Sequence, residues 1–243
     1  MKPTTRAALK SAKQHNQPPT AAKPAKPKAS SSVAAQRQTA KPKAAKPTAA
    51  PPRRSTGVMA LDLPPLPREQ LPPDLAKYFA VCEEKLGFLP NVLAAFSFDA
   101  VKLRAFSDMY NDLMLGASGL GKLEREMVAV VVSAANQCHY CLVAHGAAVR
   151  QLSGDPVLGE ELVTNWRVAP LTPRQRAMLE FAHLLTVAPA EVGDEDRAAL
   201  RAQGLSERDI WDLSAVSAFF NLSNRIASAV DMRPNAQYHA QAR

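Results

Sequence analysis

The sequence is short of cysteine, of aromatic residues and of long apolar runs, and its first 56 positions hold no Asp or Glu. Each shortage excludes something. Three cysteines in 243 residues, two of them three positions apart, cannot form a multi-disulfide framework, and a core of this size needs none. That usage suits a reducing compartment, so a cytoplasmic location is expected. A membrane-spanning helix needs roughly 18 apolar residues, whereas the longest uniformly apolar run here covers only residues 127–132. No membrane partner is expected, and the N-terminus lacks the apolar segment of a signal peptide.

Charge is unevenly placed. Thirteen of the 30 Lys and Arg lie within residues 1–56, so the remaining 17 face all 22 Asp and Glu. The net charge of +8 therefore belongs to the N-terminal arm, and the rest of the chain is mildly acidic at −5. Residues 1–57 are Ala, Lys, Pro, Ser and Thr in near-repeats such as Ala22-Lys23-Pro24-Ala25-Lys26-Pro27, without an aromatic side chain. Such a segment buries too little to offset its ordering entropy, so a disordered arm with polyproline-like stretches is expected over 1–57, with one domain over 58–243. The arm's lysines offer contact with nucleic acid, anionic lipid or an acidic partner; a solubilising tail is the plainer reading. Its Lys-Pro and Pro-Pro steps would break the amphipathic helix of an organelle transit peptide.

After Leu63-Pro64-Pro65-Leu66-Pro67, helix signals follow one another while strand-like alternation is nearly absent. Leu103, Phe106, Tyr110 and Leu113 recur on one helical face. Thr172-Pro173 reads as an N-cap with a first-turn proline. Ser206 and Asp209 form a capping-box pair, and Gly154 and Gly204 stand where helices end. The fold class expected is all-α, a compact body of roughly eight helices with short connections.

The chemistry-bearing group is Cys138-His139-Tyr140-Cys141 with His145. At about 100° per residue, Cys138, Cys141 and His145 share one helix face within a wedge of about 60°. Asn136-Gln137 interrupts the apolar run, so the dithiol opens a new helix, where free N–H groups favour a thiolate. One sulfur can then attack a peroxide oxygen and the other condense with the sulfenic acid to a disulfide. Glu126 opens the apolar segment and is a candidate base. A continuous helix would leave it about 18 Å from Cys138, so a turn at Asn136-Gln137 must bring the next helix back. His145 then lies nearer Glu126 than either sulfur does, unless Glu126 serves a neighbouring subunit; Glu124 is an alternative that periodicity does not exclude. Zinc held by Cys138, Cys141, His145 and Glu126 competes with this reading, as do two inert core cysteines. A haem site fails because Leu142, not His, follows the second cysteine. His183 reads as a core histidine, and Cys82, beside Glu83-Glu84, as unreactive. Asn221, Asn224 and Arg225 stand as pocket or buried hydrogen-bonding candidates.

Glu126, eleven intervening residues, Cys138-x-x-Cys141 and x-x-x-His145, with Leu123-Glu124-Arg125-Glu126, Ala134-Ala135-Asn136 and Ala144-His145-Gly146 around them, resemble the alkylhydroperoxidase D-like, "peroxidase-related" branch of the carboxymuconolactone decarboxylase superfamily. The resemblance covers Leu63 to the C-terminus. It implies an all-helical fold assembling as a homo-oligomer, a trimer or hexamer. It also implies a thiol-dependent hydroperoxide reductase with Cys141 as peroxidatic thiol, Cys138 as resolving thiol, and Glu126 with His145 as proton relay. No bound cofactor is implied, but an external thiol or lipoyl-type electron donor is. One departure is Tyr140 where members with peroxidase activity carry His before the second cysteine; His139 sits one place earlier, about 100° away on a helix. Other readings are a redox-sensing or zinc-binding module without turnover, and a lactone decarboxylase-type enzyme, to which a dithiol is of no evident use.

Overall fold

The computed structural model describes residues 57–243. The N-terminal arm expected over residues 1–57 lies outside the described residues except for Gly57. Among those described there are ten α-helices and three single 3-10 turns, and no strand. Eight helices run nine residues or longer: α1 (Pro73–Leu86), α3 (Ala100–Leu115), α4 (Lys122–Ala135), α5 (His139–Ser153), α6 (Pro156–Asn165), α7 (Pro173–Val187), α8 (Asp194–Ala202) and α9 (Glu207–Ala229). The other two, α2 (Asn91–Phe96) and α10 (Gln237–Ala240), are short pieces.

The expected caps are present. The Thr172 side chain accepts from Gln175 N–H, and Pro173 occupies the first turn of α7, where its missing N–H costs nothing. Ser206 and Asp209 cap α9 reciprocally, the Asp209 carboxylate accepting from Ser206 N–H at 2.9 Å. Gly154 ends α5 at φ 68, a conformation open to glycine at no steric cost.

Helix α4 is the axis of the body. Its residues 127–132 are at most 1% exposed, as suits a helix apolar all round, and it packs against α3, α5, α6, α7 and α9. Leu103 and Phe106 of α3 are buried on the face their spacing predicted, with Tyr110 and Leu113 partly buried beside them. Beyond α9 the chain returns as a strap over residues 230–243. Ala60 N–H donates to Val230 O at 2.7 Å and Arg233 N–H to Val58 O at 2.9 Å. Buried Arg150 of α5 clamps the strap's end, donating to Tyr238 O at 3.0 Å and Gln241 O at 3.1 Å. Strap residue Met232 is buried in one apolar cluster with Cys138, Tyr140, Cys141 and Ala144.

Candidate active site

The turn that builds the site is a Schellman reversal. Cys138 N–H donates to Ser133 O at 3.0 Å and Gln137 N–H to Ala134 O at 3.1 Å, closing α4. The left-handed position is occupied not by glycine but by Gln137, at φ 53. Cys138 is then the N-cap of α5, its carbonyl accepting from Leu142 N–H at 3.0 Å. The chain thus doubles back within three residues, and α5 runs alongside α4.

Doubling back brings Glu126 to His145 of the same chain: Nδ1 lies 2.6 Å from Oε2, with the side chains 13% and 12% exposed. The contact engages Nδ1 and leaves Nε2 outside this hydrogen bond. The ring packs edge-on against Phe220 at 4.6 Å between centroids. Glu124 does not enter the site. It accepts from Gly121 N–H at 2.8 Å and pairs with Arg174 at 3.0 Å.

Cys138 and Cys141 are both buried free thiols. The Cys141 thiol donates to Cys138, and this above all lowers the Cys138 pKa to about 6. Burial opposes the shift; the Cys141 N–H in the first turn of α5, Ser228 and His145 reinforce it. Cys141 moves the opposite way, because its proton is held by Cys138 and because burial disfavours a second anion beside the first. Ser223 and Asn224 of α9 also contact the Cys141 sulfur. Asn224 is fully buried, donating to Ser133 Oγ at 2.9 Å and accepting from Asn136 Nδ2 at 3.0 Å, so α9 braces both the turn and the dithiol. Asn221 accepts from the same Asn136 nitrogen at 3.1 Å and from Arg225 Nη1 at 2.6 Å.

A cleft of about 260 Å³ opens beside Cys138, with Cys138, His139, Tyr140, Ser228, Asp231, Met232 and Arg233 in its wall. Cys138 reaches this wall and Cys141 does not. Tyr140 is buried, and its hydroxyl oxygen accepts from Val92 N–H at 3.0 Å, which fastens the start of α2 to α5. Exposed His139 sits 6.3 Å from His239, ring to ring. Tyr110 and Tyr238 feel the Glu126 charge; burial first, then that charge, keep their phenols protonated.

Among the described residues no group of three or more His, Cys, Asp or Glu is gathered as a metal ion requires. The four residues weighed for zinc are instead hydrogen-bonded in two pairs. His183 packs against Trp166 at 5.9 Å, with burial lowering its pKa ahead of the Arg167 charge. Burial likewise raises the Cys82 thiol. Sequence reasoning missed Ser223, Ser228, Met232, Arg233 and Tyr238, which reach the site only through the packing of α9 and the strap.

The model of the carboxymuconolactone decarboxylase family matches residues 103–184, a span that holds Glu126, Cys138, Cys141 and His145. The crystal structure of an uncharacterized peroxidase-related protein from Silicibacter sp. TM1040 is 59% identical, with a TM-score of 0.74 over 78% of this chain and 100% of that one. An uncharacterized peroxidase-related protein from Ralstonia eutropha JMP134, described as an alkylhydroperoxidase AhpD core, is 40% identical, with a TM-score of 0.74 over 78% and 98%. The debrominase Bmp8, in complex with 2,3,4-tribromopyrrole, shares the fold at 22% identity, with a TM-score of 0.64 over 76% and 97%. No curated protein sequence matches.

Proposed function

The chain belongs to the carboxymuconolactone decarboxylase family, in its alkylhydroperoxidase D-like branch, and from that premise we propose that it is a thiol-dependent hydroperoxide reductase. The observation that carries the reading is the helix-capping Cys138, thiol-paired to Cys141, in the wall of a cleft and at the head of the helix whose His145 pairs with Glu126 of α4.

The Cys138 thiolate attacks the terminal oxygen of ROOH. The O–O bond breaks, the sulfur becomes a sulfenic acid, and the alkoxide leaves as ROH with a proton that the His145–Glu126 pair supplies. The Cys141 thiol then attacks the sulfenic sulfur, forming the Cys138–Cys141 disulfide and expelling water. An external dithiol or lipoyl-type donor returns two electrons and two protons. The resemblance alone implies the opposite order, with Cys141 attacking. Cys138 is favoured because it is the cysteine in the cleft wall and because its anion is the one that the Cys141 thiol and N–H stabilise.

The test is one equivalent of cumene hydroperoxide followed by dimedone and mass spectrometry. Cys141→Ser should trap a sulfenic acid at Cys138, and Cys138→Ser should trap none. Trapping only at Cys141 would reverse the order. Unchanged peroxide consumption in both variants would end the reductase reading.

A further inference from the structure

The groups that support the Cys138 anion stand on different sides of it. The Cys141 thiol and N–H and His145 belong to α5 and lie outside the cleft wall, whereas Ser228 of α9 lies in it. The Ser228 hydroxyl donates to the Cys138 sulfur. Ser228 is an exposed residue, while Cys138 is only 1% exposed. The last turn of α9 fixes its place. Asn224 and Ser228 are four residues apart, hence stacked on one face, and the first contacts the Cys141 sulfur as the second contacts that of Cys138. Beyond them Met232 N–H donates to Ala227 O at 2.9 Å and Asp231 N–H to Ser228 O at 3.3 Å, which closes the end of the helix.

Elsewhere in the wall the Tyr140 hydroxyl is taken by Val92 N–H at 3.0 Å, and Arg233 is paired with Asp231. A serine hydroxyl has one donor and two acceptor lone pairs, so donating to the sulfur leaves Ser228 Oγ able to accept. A hydroperoxide ROOH carries a single O–H, on its terminal oxygen. When that O–H donates to Ser228 Oγ, the terminal oxygen sits about 2.7–2.8 Å from an atom that already touches the sulfur. The resulting triangle brings it to about 3–3.5 Å from Cys138 Sγ, the separation from which a bond forms. The inner oxygen, which bears R, has no proton to give. One hydroxyl thus holds the nucleophile and selects which oxygen meets it.

We propose that Ser228 is a catalytic residue of peroxide reduction, its hydroxyl donating to Cys138 Sγ and accepting from the O–H of the hydroperoxide, so that the terminal oxygen is presented to the sulfur. The proposal rests on the reductase reading and adds a residue to it. An electron pair of Sγ forms the S–O bond, and the O–O bond breaks with its pair going to the RO oxygen. The terminal oxygen keeps its proton in the Cys138 sulfenic acid, and the alkoxide takes its own from the His145–Glu126 pair as above. Ser228 neither gains nor loses a proton over the step.

The test uses the reduced full-length protein and two electrophiles. Iodoacetamide reports on the thiolate and has no peroxide oxygen to place, whereas cumene hydroperoxide depends on both. Ser228→Ala should move the pH midpoint of Cys138 alkylation upward from near 6 by about one pH unit. At pH 9, where Cys138 is ionised in both proteins, the variant should consume cumene hydroperoxide about tenfold more slowly in a single turnover, yet be alkylated as fast as the wild type. Ser228→Thr, which keeps the hydroxyl, should hold both the midpoint and the peroxide rate near their wild-type values. An unmoved midpoint in Ser228→Ala, equal slowing toward the two electrophiles, or a Ser228→Thr that behaves like Ser228→Ala overturns the role. A wild type that consumes no hydroperoxide overturns the reductase reading and this role together. A wild type that does, with Ser228→Ala keeping pace at pH 9, overturns the role of Ser228 alone.

Discussion

Two sulfurs one turn apart receive opposite treatment from the protein, and the difference is readable in solution. With the Cys138 pKa lowered to about 6, alkylation by iodoacetamide should rise with pH about a midpoint near 6 and label Cys138 before Cys141. The sign for stability follows. A thiol whose pKa is depressed on folding contributes stability above its ordinary value of 9.0, and that contribution is lost as pH falls through about 6. Chemical denaturation of the reduced protein between pH 5 and 9 should therefore show stability rising with pH in this window, and the Cys138–Cys141 disulfide should remove the trend. Glu126→Gln keeps a hydrogen-bonding group but not the charge, and should slow peroxide consumption by about 10²-fold, the scale of a lost acid–base partner. Glu126, Cys138, Cys141 and His145 were legible because one turn and two helical spacings relate them all. Arg233, Ser228 and Tyr238 were not, because no local pattern ties the end of α9 or the strap to a cysteine about ninety or more positions earlier. Asn224 lies between these cases: its type and place on the last long helix made it a pocket or buried hydrogen-bonding candidate, without showing that it would brace Asn136 and touch Cys141.

The reversal between α4 and α5 depends on a residue poorly suited to it. A left-handed position costs a side-chain-bearing residue about 1 kcal/mol relative to glycine. Gln137→Gly should therefore stabilise the protein by about that amount in chemical denaturation, with the helix content unchanged. Asn224→Ala removes the donor to buried Ser133 and leaves Asn136 with Asn221 alone behind the same turn, and should cost about 1–3 kcal/mol. Sequence predicted that the chain must turn at Asn136-Gln137, since Glu126 and His145 cannot otherwise meet. It could not predict the Schellman geometry, because glycine, its usual sign, is absent there. The capped helices were legible for the complementary reason: Thr172 and Ser206 carry their hydrogen-bonding partners three residues ahead. Helices α2 and α10 escaped notice, being too short for periodicity to register. They are held by contacts from elsewhere, Tyr140 on Val92 and Arg150 on the carbonyls of the strap.

For the whole molecule, the shortage of alternating apolar residues sufficed to exclude a sheet, while the packing of five helices around α4 emerged only from the structure. The cleft has no sequence signature, since its wall is assembled from the start of α5, the end of α9 and the strap. The strap closes the longest loop in the body, joining residues 58–60 to 230–233, and that closure has a kinetic meaning. Contacts between distant parts of a chain bear the largest loop entropy and form late. On dilution from denaturant, far-ultraviolet circular dichroism should recover first, and iodoacetamide reactivity at Cys138 should reach its native value only afterwards. A chain whose helices have formed but whose ends have not yet met would carry both sulfurs without the wall that gives them a substrate, so competence for chemistry marks the completion of folding.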